Sequence, residues 1–264
     1  MNVTDSVPCE LLPWDTEFFH CPIALVRGDT LRPEQALQID DWSRQHRIRG
    51  LYFLSRADDR ATIQTAAQHG FELVDIRVTL ERVMRPSPGP VRPEPPAGVS
   101  IRPAQPDDLP GLQALARTAH RGTRFFNDAH FPSQRAEDLY ATWIALEIQG
   151  RAQTVWVAAS ADDSVLGYVS CHLNSARREG RIGLVGVSPE VRGRGIGENL
   201  GLTAIDWFQT QGAAEVTVVT QGNNRAAQRL YQRCGFLSRD LQLWYHKWYP
   251  VSDQQPAPAN DRKT

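Results

Sequence analysis

The sequence predicts a mixed α/β fold on three observations. Period-two apolar segments alternate with segments of helical period in an order that is not a strict βαβ repeat. A glycine-rich turn joins an apolar strand directly to a helix. A proline cluster divides the chain in two.

The N-terminal part yields three elements. Residues 50–55 read as a strand. Residues 58–69 have helical spacing, with Ile63, Ala66 and Ala67 on one face and Gly70 closing the helix. Residues 73–80 alternate as a strand that turns Val74, Ile76, Val78 and Leu80 to one side. Pro86, Pro88, Pro90, Pro93, Pro95 and Pro96 then follow. Proline fixes φ and removes a backbone donor, so residues 85–98 form an extended linker between an N-terminal unit (1–84) and a larger unit (99–250).

The larger unit opens with a strand at 99–102. A helix begins at 106 or 107 with Leu109, Leu112 and Leu115 as its stripe. A second, over 133–147, carries Leu139, Trp143 and Leu146, with Ser133 as its N-cap. Strands follow at 154–159, 166–173 and 180–187, then a helix at 197–209, a strand at 215–220, a helix at 225–233 and a strand at 241–248. The polar tail, 251–264, has nothing to bury and reads as disordered.

Bulk properties narrow the function. The 264 residues carry a net charge of -1, which gives no field to gather nucleic acid or an anionic membrane. Lys247 and Lys263 are the only lysines, an arginine bias that reads as genome base composition. The four cysteines make no C-x-x-C pair and no zinc spacing, so no metal is expected, and scattered thiols suit a reducing compartment. Cys234 reads as a small buried apolar residue. With no signal peptide and no apolar stretch of spanning length, the expectation is a cytoplasmic protein with no membrane partner.

The most informative segment runs from Leu184 through Gly197, LVGVSPEVRGRGIG. Glycines let backbone approach a ligand, successive free N–H groups form a concavity, and a helix N-terminus favours negative charge, which together suit a pyrophosphate. Arg192 and Arg194 add charge at the flank. A P-loop would end in Gly-Lys-Ser/Thr where this chain has Gly197-Glu198-Asn199, and a Rossmann turn would space its glycines differently and come earlier.

Arg192, Gly195 and Gly197 fill the Arg/Gln-x-x-Gly-x-Gly/Ala signature of the GCN5-related N-acetyltransferase (GNAT) family. Asn224, Ala227, Leu230, Tyr231, Gly235 and Phe236 resemble its second element, N-x-x-A-x-x-L-Y-x-x-x-G-F. The resemblance implies a mostly antiparallel central sheet flanked by helices and a full GNAT fold preceded by a smaller, partial one. A weak echo of "helix, Gly-Phe, strand" at Gly70-Phe71 and Gly235-Phe236 agrees. It implies acetyl-CoA as co-substrate, held by Val185, Val187, Arg192, Gly193, Arg194, Gly195, Ile196, Gly197, Asn224 and Tyr231. The strand end at Val185–Val187 would splay from its neighbour. The Val187 N–H would polarise the thioester carbonyl during direct attack through a tetrahedral intermediate, and Tyr231 would protonate the departing thiolate. Tyr231 could instead pack under the sheet, and Asn224 could serve as a helix N-cap.

The acceptor is a small-molecule amine that attacks in its neutral form, so a base must take a proton. His130 is the first candidate and His120, Asp128 and Glu179 the others. Phe125, Phe126 and Phe131 around His130 either stack on the acceptor or fill the core. Residues 12–19 and 128–144 resemble bacterial dTDP-4-amino-4,6-dideoxygalactose (dTDP-fucosamine) acetyltransferases, which implies a nucleotide-linked amino sugar. The alternatives are another small-molecule or peptide amine, or an acyl-CoA-binding module without catalysis. A homodimer is compatible with this.

Overall fold

A computed structural model describes residues 7–85 and 93–250. Part of the linker at 85–98 and the tail at 251–264 lie outside them. The strands are β1 (Cys9–Leu11), β2 (Ile23–Val26), β3 (Gly50–Arg56), β4 (Glu72–Val83), β5 (Val99–Pro103), β6 (Thr154–Ser160), β7 (Val165–Asn174), β8 (Glu179–Val187), β9 (Glu215–Gln221) and β10 (Leu237–Trp248). The helices are α1 (Pro13–Phe19), α2 (Pro33–Gln45), α3 (Arg60–Gln68), α4 (Leu109–Ala119), α5 (Arg124–Asn127), α6 (Ser133–Leu146), α7 (Ile196–Thr210) and α8 (Arg225–Arg233).

All ten strands form one sheet in the order β1-β2-β3-β10-β4-β9-β8-β7-β6-β5. Only β2–β3 and β8–β9 are parallel, so the sheet is mostly antiparallel and flanked by helices, as expected. On one face α7 and α8 pack on Val78, Leu80, Val216 and Val218, and α2 and α3 pack on Leu51, Phe53 and Tyr245. On the other, α1, α4, α5 and α6 share a core with Tyr52, Val157 and Tyr168.

Strands from both sides of the proline-rich segment interleave. β10 lies between β3 and β4, and β4 lies between β10 and β9. The pairing is symmetric: Gly50 opposite Trp248 is matched by Glu215 opposite Val83, and Arg56 opposite Gln242 by Gln221 opposite Arg77. Within β4–β10 itself, Leu237 opposite Glu81 mirrors His246 opposite Glu72. One constant shift of residue number relates all of these pairs. The strand–helix–Gly-Phe–strand units β3-α3-β4 and β9-α8-β10 thus exchange their last strands. Gly70 and Gly235 leave the two helices at φ 74 and 81, where a side chain would be strained.

Several local expectations change. α3 buries Thr62, Thr65 and Ala66 rather than Ile63, Ala66 and Ala67. Its N-cap Asp59 receives the N–H groups of Ala61 and Thr62 and the Thr62 hydroxyl, and Thr62 Oγ1 in turn accepts from the Leu31 amide at 2.8 Å. A hydroxyl wired to two neighbours turns inward where spacing alone favoured isoleucine. The N-cap of α6 is Pro132, not Ser133, which is the first helical residue. Along β4, Ile76 is 41% exposed while Val78 and Leu80 are buried.

Candidate active site

β8 and β9 pair only from Glu179/Glu215 to Ile182/Val218. Beyond that, β8 continues to Val187 and β9 to Gln221 without a ladder between them. The cause is local. Against β7, β8 carries an extra residue between Ile182 and Val185, where Ser170 Oγ accepts the Leu184 amide at 2.8 Å. Such a bulge bends and twists its strand. The bulge needs Gly183, because a Cβ there would sit 2.5 Å from Ser170 Oγ.

Amides along a strand alternate in direction. The Ser188 N–H donates to Leu166 O at 2.8 Å on the β7 side, so the Val187 and Val185 amides face the gap. The side chains of Val185 and Val187 meet the α7–α8 core. Gly186 faces the other way, where a Cβ would be 2.6 Å from the Tyr168 ring.

The glycine turn closes one end of the gap. Gly193 and Gly195 adopt φ 79 and 80, with nothing within 4 Å of a Cβ at Gly193 and only Asn199 Nδ2, 3.9 Å away, at Gly195. This is an open, backbone-lined concavity at the N-terminus of the 15-residue α7. Arg192 and Arg194 are exposed beside it, and Arg192 Nε reaches Val187 O at 3.4 Å. Gly197 packs against Leu230 of α8 and against Val187, and Ile196 is buried beneath the turn. These residues fit a co-substrate whose pyrophosphate lies on the turn and whose arm enters the gap.

Asn224 is the N-cap of α8, its Oδ1 accepting the Ala227 amide at 3.1 Å. Tyr231 is the buried residue of that helix, edge-on to Phe236 at 5.9 Å. Burial first, then the neighbouring Cys234, push its phenol up, so it stays protonated at neutral pH. Cys234 is fully buried, and burial raises its thiol to about 11.

His130 is not brought to the gap. Its ring stacks on Trp248 at 4.6 Å and bonds Asp128 Oδ1 at 2.8 Å, over the end of β10 that pairs with Gly50. Asp128 is a buried hub, accepting also from His246 Nδ1 at 2.6 Å and Trp248 Nε1 at 2.8 Å. Burial alone would raise its carboxyl, but these hydrogen bonds outweigh it and hold the group well below the usual range. Arg124 donates to His246 Nε2 at 2.9 Å and lies over Tyr52, Phe125 and Trp244. Arginine only donates, so His246 is neutral and carries its proton on Nδ1. Phe125 and Phe131 fill the core beneath, and Glu179 lies at the paired end of β8, opposite Glu215.

His120 does stand at the gap. Its Nε2 is 2.8 Å from the hydroxyl of Tyr168, the residue paired with Gly186, and its ring stacks on Tyr140 at 4.4 Å. Asp75 of β4 is the titratable group that sequence patterning passed over. Burial raises its carboxyl to about 6, against hydrogen bonds from the Ile76 and Arg124 amides.

A pH dependence follows. Burial depresses both His120 and His246 to about 4. Unfolded histidine titrates near ~6.5, so the unfolded chain gains protons first as the pH falls, and stability declines. Below about 6 the folded chain takes up a proton at Asp75, ahead of the ~3.9 of an unfolded Asp, and burial raises Asp15 in the same sense. The expected urea midpoint therefore drops as pH falls through 6.5 and goes on dropping below 6, where proton uptake at Asp75 offsets only one of the two histidines. A midpoint that rises between pH 7 and 6 contradicts this.

Residues 118–236 match the model of the acetyltransferase (GNAT) family. Residues 118–236, which carry the gap and the glycine turn, are thus a GNAT-family acetyltransferase domain. The chain is 29% identical to a dTDP-fucosamine acetyltransferase of Escherichia coli, over 90% of this chain and 97% of that one. It is 31% identical to a spore coat polysaccharide biosynthesis protein of Bacillus subtilis over 56% of this chain, and spans 50% of that relative. A GCN5-related N-acetyltransferase from Sphaerobacter thermophilus shares the fold with a TM-score of 0.67 at 20% identity, covering 91% of this chain and 76% of that one. No helix among the described residues is long and apolar enough to cross a membrane.

Proposed function

We propose that the protein acetylates the amine of a nucleotide-linked amino sugar of the dTDP-4-amino-4,6-dideoxyhexose type. The observation that carries the chemistry is the unpaired end of β8, where the Val185 and Val187 amides face a gap entered from the glycine turn. The Val187 N–H stabilises negative charge developing on the thioester oxygen. Tyr231, kept protonated by its burial on the α7–α8 side, supplies the proton for the thiolate. The amine approaches from the opposite face, where the His120–Tyr168 pair stands against Gly186 and receives its proton. His130 serves the Asp128 hub instead. Similarity to the dTDP-fucosamine enzyme along 90% of the chain supports the choice of acceptor.

Thiol release from acetyl-CoA across a panel of amines tests this reading. Selective turnover of dTDP- or UDP-linked 4-aminosugars is expected. Turnover of other amines alone would discard the sugar and keep the chemistry.

A further inference from the structure

The gap between β8 and β9 opens onto a stretch of sheet that no helix among the described residues covers. On β9, Val216, Val218 and Thr220 are buried under α7 and α8, whereas Thr217, Val219 and Gln221, on the opposite face, are all partly exposed. Arg77 of β4 stands opposite Gln221, and Arg181 of β8 stands opposite Thr217. The two arginines therefore flank the bare face of β9 from its two sides, on the face that carries Tyr168 and His120.

Arginines on such a sheet are ordinarily matched. Arg239 meets Glu81 and Glu215, and Arg102 meets Asp108. Arg77 and Arg181 form no ion pair and no side-chain hydrogen bond among the described residues, and Arg77 Nε is buried without a partner. Asp240 offers Arg77 some compensation from a distance, while Arg181 and Arg124 add like charge. Glu147 is near enough to Arg181 to act on it, and its Oε2 lies 2.6 Å from His172 Nε2. The half-buried Arg77 guanidinium, without a bound carboxylate, is costly unless an anion completes it, and the planar forks of both arginines fit phosphate oxygens.

We propose that Arg77 and Arg181 bracket the diphosphate of the acceptor across the uncovered face of β9, leaving its amine directed into the gap. The identity of that acceptor rests on the amino-sugar reading, whereas the anion site rests on the two arginines. Arg181 is exposed, so Arg181→Ala removes charge without disturbing the core.

The test is titration calorimetry of thymidine diphosphate and inorganic pyrophosphate against the full chain, R181A and R77A/R181A, with acetyl-CoA binding as the control. Thymidine diphosphate is expected to bind at least tenfold more weakly to R77A/R181A, with R181A between, while acetyl-CoA binding is unchanged. The KM for a dTDP-linked 4-aminosugar should rise by at least the same factor. Unchanged affinity for thymidine diphosphate, or an equal loss of acetyl-CoA binding, overturns the site. Turnover of the nucleotide sugar with an unaltered KM in R77A/R181A also overturns it and leaves the sugar reading standing. Pyrophosphate binding that disappears in R77A/R181A, with no nucleotide sugar turned over, supports the anion site and removes the sugar.

Discussion

Tyr231→Phe is expected to lower kcat about a hundred- to a thousand-fold while the affinity for acetyl-CoA changes little, the range typical of losing a positioned proton donor. The substitution isolates one atom. Phenylalanine keeps the edge-on packing against Phe236 and the place in the core shared by α7 and α8, so stability should hold. What goes is a phenol that burial keeps protonated. Steady-state kinetics with acetyl-CoA binding measured alongside decides the matter. A variant as active as the parent would place the proton donor elsewhere and return Tyr231 to a packing role. An acyl-CoA-binding module without catalysis would not register the change at all.

Asp128→Ala should be strongly destabilising, by roughly 3–5 kcal/mol. One carboxylate accepts the His130 amide and ring, His246 Nδ1 and Trp248 Nε1, which ties the segment after α5 to β10. Alanine leaves the buried His246 and the indole without an acceptor, and the Arg124 charge behind His246 loses its counterpart. At about 2–4 °C per kcal/mol, the melting temperature should fall by roughly 10 °C. Asp128→Asn keeps one acceptor oxygen and should cost about half as much. Because the hub sits at the β3 end of β10, acetyl-CoA affinity in surviving protein should be near that of the parent. A melting temperature within about 2 °C of the parent would remove Asp128 from this role.

Most of the second half of the fold is legible from residue order. β6 to β9, α7 and α8 fall within a residue or two of their expected limits, because long alternating or amphipathic runs flank them. The glycine turn and the helix bearing Tyr231 are legible because each is contiguous and its chemistry is local. β1 and β2, of three and four residues, are too short for periodicity to show. α2 escapes because its buried face is Ala36, Ile39 and Ser43, too small and too polar to draw a stripe. The rest of the site depends on pairing. Tyr168 meets His120 only through the packing of α4 on β7, and Arg77 and Arg181 come to flank β9 only once β4 crosses from the first half of the chain. His130 drew notice through its aromatic neighbours, yet those neighbours lead to Asp128 and Trp248, more than a hundred positions apart in the chain.

The exchange of final strands between the two halves has a consequence for what holds the molecule together. β4 is clasped by β9 on one side and β10 on the other, and β10 by β3 and β4. Neither half can leave without stripping a twelve-residue strand out of the middle of the other's ladder. The proline-rich tether is therefore mechanically redundant once the sheet has closed. A chain severed between β4 and β5 would remain one particle, joined like clasped hands rather than by a cord, and the gap between β8 and β9, one strand away from β4, would stay with it.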